Sequence, residues 1–449
     1  MTPDLISRYA APVPRYTSYP TAPHFHEGVD AGVCLRWLEM LPADATLSLY
    51  AHIPFCDTLC WFCGCNTKIT RQYQPVASYL KVLDTEIAAI ARTVPRDAKV
   101  RHIHLGGGSP TILSAADLSR LMDTMRRRFN LAEDLEFAVE IDPRGLDRAR
   151  IDALAEAGLT RVSIGVQDFD PKVQARINRI QTVDETRAVI DAFRDHGVAS
   201  LNIDAIYGLP GQHEAELIET LTEVLRMRPD RIALFGYAHV PWMKRHQMMI
   251  RQADLPGVTE RHNQAELAAA FLADHGYTRI GIDHFAQPHD ALAAAAREGR
   301  LRRNFQGYTV DDADALIGLG ASSIWRLPQG YAQNAPAIAD YSRRVAGGTL
   351  AVTKGAVLSE DDRVRAHVIE RLMCDLAFRR SEVARRFGAA AQAVIAEAAL
   401  LVQADGDGLV RATEDGFVIT ERGRPFARTI AAHFDAYLAG SQARHSLAV

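Results

Sequence analysis

Cys56-Asp57-Thr58-Leu59-Cys60-Trp61-Phe62-Cys63-Gly64-Cys65 gathers four of the chain's six cysteines into ten residues, just after the strand-like run 46–52 (TLSLYAH). Disulfides between such close neighbours would be strained, so the clustering points to metal ligation in a reducing compartment. Thiolates are soft ligands and suit iron–sulfur clusters or zinc. Zinc sites usually pair two ligands on one knuckle with two far away in sequence. Here Cys56-x3-Cys60-x2-Cys63 lets one loop wrap three corners of a cubane cluster. Three thiolates leave the fourth iron open to a substrate or cofactor; Cys65 as a fourth ligand would close it. Phe55, Trp61 and Phe62 stand where they would shield the cluster and tune its potential. Four unmetallated thiols in one loop is the bland alternative, and such clustering is rare without a metal. Cys34 and Cys374 stand alone and read as buried structural thiols.

Outward from this loop a rhythm runs along the chain. Strand-like runs at 46–52, 100–105, 135–141, 161–166, 199–206 and 231–238 alternate with stretches 75–92, 114–128, 147–157, 182–196 and 212–227. The latter carry apolar residues at i, i+3 and i+4. This alternation predicts a parallel sheet with helical crossovers, either open or an incomplete barrel. A seventh strand near 277–282 extends it. The first 40 residues, with Pro14-Arg15-Tyr16-Thr17-Ser18-Tyr19-Pro20, read as an ordered but irregular arm. After about residue 345 the rhythm is lost; a long helix at 361–378, shorter helices and a hairpin around 408–420 predict a mostly helical C-terminal domain. The expected division is an arm 1–45, an α/β unit 46–345 and a C-terminal domain 346–449.

In parallel α/β folds function gathers at the carboxyl ends of the strands. The cysteine loop follows the first strand and Gly106-Gly107-Gly108-Ser109-Pro110 the second. Glu140-Ile141-Asp142 closes the third and Gln167-Asp168 the fourth. Asp204 with Tyr207-Gly208-Leu209-Pro210 closes the fifth, and Ala238-His239 the sixth. A triple glycine can be a tight turn, or backbone free of Cβ whose N–H groups meet a ligand carboxylate. Glu140 and Asp142 suit helix capping, or accepting from ribose hydroxyls or an ammonium group. Gln167 suits a backbone contact as well as a ligand. The shared rim favours function. His104 reads as a core histidine and Arg120–Arg128 as a solvated helix face. His284 and Arg302-Arg303 fit an anion-attracting patch or a solvated surface equally.

Composition adds limits. Lys plus Arg is 51 and Asp plus Glu 55, a net charge of −4 that gives no sign of a nucleic-acid or membrane partner. The N-terminus has no basic n-region or apolar h-region, and no run of about 18 apolar residues stands out. The expectation is a cytoplasmic protein.

Cys56-x3-Cys60-x2-Cys63, with an aromatic before the last cysteine, resembles the signature of the radical S-adenosylmethionine superfamily. Pro14–Thr21, Tyr50–Cys65, Gly106–Thr111, Gly165–Phe169, Asn202–Pro210 and Arg303–Thr309 together resemble the oxygen-independent coproporphyrinogen III oxidases, and the likeness spans nearly the whole chain. It implies an α/β fold, an incomplete (β/α)6 radical-SAM barrel with an N-terminal arm and a mostly helical C-terminal domain, in a monomer. By resemblance, Cys56, Cys60 and Cys63 hold a [4Fe–4S] cluster whose fourth iron is chelated by S-adenosylmethionine, and Cys65 matches a cysteine that is not a ligand. Tyr50, Phe62, Gly107, Gly108, Ser109, Glu140 and Arg179 match positions around that cofactor, with Tyr50 and Glu140 the candidate catalytic residues. Gln167, Asp204, Ala238 and Ile324 match further contacts, in part to a second S-adenosylmethionine molecule.

The activity implied is a step of haem biosynthesis: two propionates of coproporphyrinogen III become vinyl groups, giving protoporphyrinogen IX. Breaking an unactivated C–H bond is beyond any side-chain acid or base, so the hard step falls to the cofactor as a 5′-deoxyadenosyl radical, with water and oxygen kept away. The partners implied are the tetrapyrrole and an electron donor of unknown identity. Arg15, Arg302 and Arg303 are candidate propionate-binding cations. Ile180 stands where some relatives carry an acid and Gln287 where some carry a base. Rivals are a haem chaperone, which lacks the counterparts of Cys65 and the PRYTSYPT arm, and a zinc-binding structural protein, which would be colourless.

Overall fold

The computed structural model describes residues 1–438, 440 and 444–447. Six strands, β1 (Thr46–Ile53), β2 (Lys99–Gly107), β3 (Asn130–Ile141), β4 (Arg161–Gln167), β5 (Ser200–Tyr207) and β6 (Arg231–Gly236), lie side by side in chain order, each parallel to the next. Between them run helices whose buried residues follow the 3.6 period. In Gln74–Thr93 these are Val76, Tyr79, Leu80, Leu83, Glu86, Ile87 and Ile90. In Ala115–Arg128, started by the Ser114 side chain accepting from Asp117 N–H, they are Leu118, Leu121, Met122 and Met125.

Strand side chains alternate between two faces. One face of the sheet is apolar and packs on these helices: Leu49, Ile103, Phe137, Val139, Val162, Ile164, Leu201 and Ile203 belong to one core. The intervening positions carry Tyr50 and His52 on β1, His104 on β2, Glu140 on β3, Ser163 on β4, and Asn202 and Asp204 on β5. The concave face therefore holds polar groups along its length as well as at its rim.

Beyond β6 the sheet continues with β7 (Thr278–Ile280) and β8 (His284–Ala286), but β8 pairs with β6 and puts β7 at the edge. A hairpin, β9 (Arg302–Asn304) and β10 (Gly307–Thr309), stands apart. On the far side of β1 come β11 (Ala315–Leu319), parallel to β1, then β12 (Ile324–Leu327), β13 (Gly330–Asn334) and β14 (Val352–Val357), all antiparallel. The whole is a 12-stranded open sheet. The sequence rhythm missed this second wing, and β14 lies past the expected boundary at 345; pairing of β13 with β14 favours a boundary nearer Ser359.

The N-terminal residues are less irregular than expected. Pro3–Tyr9 and Ala31–Glu39 are helices. The first packs, with Tyr16 and Tyr19, into the core of the C-terminal region around Val364, Val368 and Leu372. Tyr16 Oη donates to Asp435 Oδ2 at 3.0 Å, and Arg428 Nη2 donates to Val13 O at 2.5 Å. The expected long helix is Glu360–Asp375, and the expected hairpin is Val410–Thr413 with Gly416–Ile419. Residues 439, 441–443 and 448–449 of the C-terminal region lie outside the described residues. Against the sequence reading, Arg380–Ala404 does have the length and apolarity of a membrane span, with mean hydropathy 1.5. It turns at Gly388 (φ 56°), and its Val383, Ala391, Val394 and Ala398 are buried in the C-terminal core.

Cys34 is buried, as expected, and burial pushes its thiol up to about 12. Glu86, 1 % exposed, joins the Gln74–Thr93 helix to the second wing. Its carboxylate accepts from Gly320 N–H (2.6 Å), Tyr341 Oη (2.7 Å) and Asn334 Nδ2 (2.7 Å). A stranded buried donor costs about 1–3 kcal/mol, so Glu86→Ala is expected to lose roughly 3 kcal/mol or more, read from the urea midpoint. Burial pushes this carboxyl up to about 7 despite the three donors. The folded state then binds the proton more tightly than the unfolded chain. The stability so gained is complete below the ordinary carboxyl range and fades as pH rises through about 7. The gap between wild type and variant should narrow over that interval.

Candidate active site

The cysteine loop leaves β1 and is fastened from several sides. Thr70 N–H bonds to Cys56 O, Trp61 N–H to Ile177 O, and Asn178 Nδ2 to Leu59 O. Lys244 Nζ, His246 Nε2 and Gln247 Nε2 reach the carbonyls of Cys65, Cys63 and Phe62. Each sulfur has its own neighbours. Thr67 Oγ1 donates to Cys56 Sγ (3.2 Å), Arg144 Nη2 and Arg179 Nη1 approach Cys60 Sγ (3.5 and 3.6 Å), and Cys65 N–H donates to Cys63 Sγ (3.3 Å).

Burial and the neighbouring thiols push Cys56 up to about 12. The Cys65 thiol donates to Cys63, which holds Cys63 down at about 7 and leaves Cys65 well above the thiol range. Of that pair, Cys63 is the better ligand. Three thiolates gathered here need a cationic centre to stay ionised together. Among the described residues no three His, Cys, Asp or Glu side chains close around one metal position. Three soft thiolates on one short loop are a donor set that fits an iron–sulfur cluster. Of the three aromatics expected to shield it, Trp61 and Phe62 pack beside the loop on Val173, Ile177 and Leu209, whereas Phe55 turns away into the main core against Tyr79.

Of the two readings of the glycine segment, the tight turn holds. Gly107 N–H donates to Glu140 Oε2 (3.0 Å), Gly108 N–H to Ile53 O (2.9 Å) and Ser109 N–H to Phe55 O (2.8 Å). These donors are engaged within the protein and are not offered to a ligand carboxylate. Glycine is required by closeness: a Cβ on Gly108 would stand 2.5 Å from Phe55 O. His104, expected in the core, donates from Nε2 to Glu140 Oε1 (3.2 Å) and stacks on Tyr50. Burial alone would raise the Glu140 carboxyl, but His104 and the Gly107 N–H outweigh it and hold it below its usual range. Tyr50 Oη meets His52 Nδ1 (3.1 Å), and His52 Nε2 is fixed by Asn66 O (2.8 Å).

A cavity of about 380 Å³ opens here. Tyr50, Cys65, Gly107, Glu140 and Ile324 line it, as do His52, Asn66, Asn304, Phe305, Gln306, Leu316 and Ser323, which the sequence reading did not single out. Gln167, Asp204 and Ala238 lie outside its wall, on β4, β5 and after β6. Asp204 accepts from Ser163 Oγ (3.0 Å) and Asn202 Nδ2 (2.7 Å), and burial pushes it up to about 6. Arg179 is buried, with its guanidinium on Asp142, Gly165 O (2.6 Å) and Gln181. Phe62, Gly108 and Ser109 support the loops and do not face the cavity. Asp168, 1 % exposed, is held by Gln212 and Thr220 in a structural network.

The two departures lie off the cavity. Ile180 is exposed, and Gln287 N–H bonds to Asp230 O at the end of the β6–β8 pairing. His284 is buried against Asp283 (2.7 Å), and Arg302 pairs with Glu370 (3.2 Å). Arg120 pairs with Asp84 and Asp117, a helix surface as expected.

Residues 50–224 match the radical SAM superfamily and residues 358–426 the HemN C-terminal domain. The chain is 47% identical over 437 residues to the oxygen-independent coproporphyrinogen III oxidase of Bradyrhizobium diazoefficiens, covering 97% of each chain. To that of Paracoccus denitrificans it is 48% identical over 430 residues, covering 96% of this chain and 95% of the relative. Among solved structures, coproporphyrinogen III oxidase (HemN) from Escherichia coli, described as a radical SAM enzyme, is similar with a TM-score of 0.90. It is 40% identical, and the match covers 94% of this chain and 98% of that one.

Proposed function

Because the chain belongs to the oxygen-independent coproporphyrinogen III oxidase family of radical SAM enzymes, we propose that the cavity beside Glu140 is where its cofactor and tetrapyrrole meet. The enzyme carries out the anaerobic oxidation of coproporphyrinogen III in haem biosynthesis. Each reacting propionate loses a hydrogen atom from its β-carbon, then one electron and carbon dioxide, and is left as a vinyl group. When bound, the [4Fe–4S] cluster and S-adenosylmethionine supply the carbon radical that this step needs.

Cys56, Cys60 and Cys63 are the thiolates that would hold the cluster. The N–H groups of Arg144 and Arg179 aimed at Cys60 would draw electron density from that sulfur and would raise the potential of a cluster held there. Glu140, kept ionised by Gly107 and His104, accepts from the ammonium group or ribose hydroxyls of the cofactor. Tyr50 and His52, locked together by Asn66 O, hold the wall beside it. Phe305, Leu316 and Ile324 exclude water from the reacting carbon. Gln167, Asp204, Ala238 and Ile324 make further contacts, in part to a second S-adenosylmethionine molecule, and the enzyme works as a cytoplasmic monomer with a separate electron donor.

The observation that carries this reading is the meeting, on one concave face, of the cysteine loop, a Glu140 carboxyl held below its usual range and a cavity of about 380 Å³ lined by Tyr50, Cys65 and Glu140. The test is an anaerobic assay with reconstituted protein, S-adenosylmethionine, a reductant and coproporphyrinogen III. Both 5′-deoxyadenosine and a vinyl product are expected; the absence of both overturns it.

A further inference from the structure

The β9–β10 hairpin separates two cavities. Asn304, Phe305 and Gln306 line the larger one, while the preceding residue, Arg303, lines a second of about 60 Å³. That volume has room for a carboxylate and a few waters, not for a macrocycle. Its wall brings together the N-terminal arm, the end of β6, the helix Val258–Asp274 and the C-terminal region. Five arginines line it: Arg15, Arg261, Arg279, Arg303 and Arg428.

Among the described residues that line it, the carboxylates are two, Glu266 and Asp283. Glu266 pairs with Arg279 at 3.1 Å, and Asp283 sits 3.8 Å from Arg303 while bonded to His284. Arg15 Nη2 donates only to a carbonyl, Gly236 O (2.8 Å). Arg261 lies over the same glycine, where a Cβ would stand 3.0 Å from its Nη2, and its Nε has no hydrogen-bond partner. The Arg303 side chain is 4 % exposed, and its Nη1 likewise has no hydrogen-bond partner. Burial, then the charges of Arg15 and Arg303, push Arg428 down to about 9. Planar guanidinium donors, two of them buried (Arg303 and Arg428), converge here, a set matched to a carboxylate.

We infer that this cavity binds the carboxylate of a propionate that the reaction leaves intact, anchoring the tetrapyrrole so that a reacting propionate lies across the hairpin in the larger cavity. The inference rests on the function proposed above. It retains Arg15 and Arg303 from the candidates marked in the sequence, adds Arg261, and drops Arg302, which Glu370 already neutralises.

The test is a fluorescence titration of the reconstituted holoenzyme with coproporphyrin III and with mesoporphyrin IX, a stable porphyrin that keeps only the propionates the reaction spares. Arg261→Gln and Arg303→Gln are each expected to raise the Kd for both porphyrins roughly tenfold or more. Arg261→Lys and Arg303→Lys should restore part of the loss. Arg302→Gln should change neither, and the Kd for S-adenosylmethionine should hold throughout. Unchanged porphyrin binding in both glutamine variants overturns the inference. So does a loss confined to coproporphyrin III, which would assign the cavity to a reacting propionate. A loss confined to S-adenosylmethionine, whose methionyl carboxylate is the other source of this chemistry, overturns it too. Vinyl product from the wild type, assayed alongside, separates failure of this inference from failure of the reaction itself.

Discussion

Replacing Cys60 by serine is expected to strip the iron, leaving roughly a tenth or less of the wild-type iron and sulfide after anaerobic reconstitution. Cys60 is 8 % exposed, and its sulfur is the one that two guanidinium groups approach. A hydroxyl at this position is a hard, weakly acidic ligand where a soft thiolate is needed. Altering groups that merely support a ligand changes metal affinity by roughly 10–100-fold, and removing the ligand exceeds that. The variant should fold, because Arg144 and Arg179 keep their carboxylate partner Asp142. Cys65→Ser is the contrast. Cys65 lines the cavity and only donates to Cys63, a part a serine hydroxyl can also play, so the iron content should stay near wild type. Full iron in Cys60→Ser, or zinc in its place in the wild type, would sink the ligand assignment.

What the sequence made legible follows from locality. The cysteine spacing, the six strand–helix units and the rim residues are written within a few tens of residues each, and the structure has them where the periodicity put them. The polar concave face was half visible: Tyr50, Glu140 and Asp204 were marked, but His104 was read as a core histidine and His52 was given no role. A period of two places Tyr50 with His52, and the β1–β2 register sets His104 beside Tyr50. The second wing was missed because strands such as Gly330–Asn334 (GYAQN) carry little apolar signal and gain their burial from β12 and β14. The Asn304–Gln306 turn and Arg261 reach their cavities across more than a hundred residues from the cysteine loop. No local pattern encodes that distance. Of the two readings of the glycine segment, the hydrogen bonds favour the tight turn, since its N–H groups already have acceptors in Glu140, Ile53 and Phe55.

Substituting Glu140 by glutamine should weaken S-adenosylmethionine binding roughly 10- to 100-fold, the range set by 1.5–3 kcal/mol for a hydrogen bond to a charged group. The fold should survive the change. The amide oxygen of glutamine can accept from Gly107 N–H as Oε2 does at 3.0 Å. Its NH2 would then face His104 Nε2, and His104 can move its proton to Nδ1, an atom with no present hydrogen-bond partner. What is lost is the negative charge. In the wild type, that charge persists because His104 and Gly107 hold the carboxyl below its usual range against the effect of burial. Affinity in the wild type should therefore stay level from about pH 6 upward and fall only as pH drops toward that lowered value, where protonation removes the acceptor. The variant should be weak and flat over the same range. Calorimetric titration of the anaerobic, cluster-loaded proteins reads both quantities. An E140Q protein that binds the cofactor as tightly as wild type at pH 8 would remove Glu140 from the site.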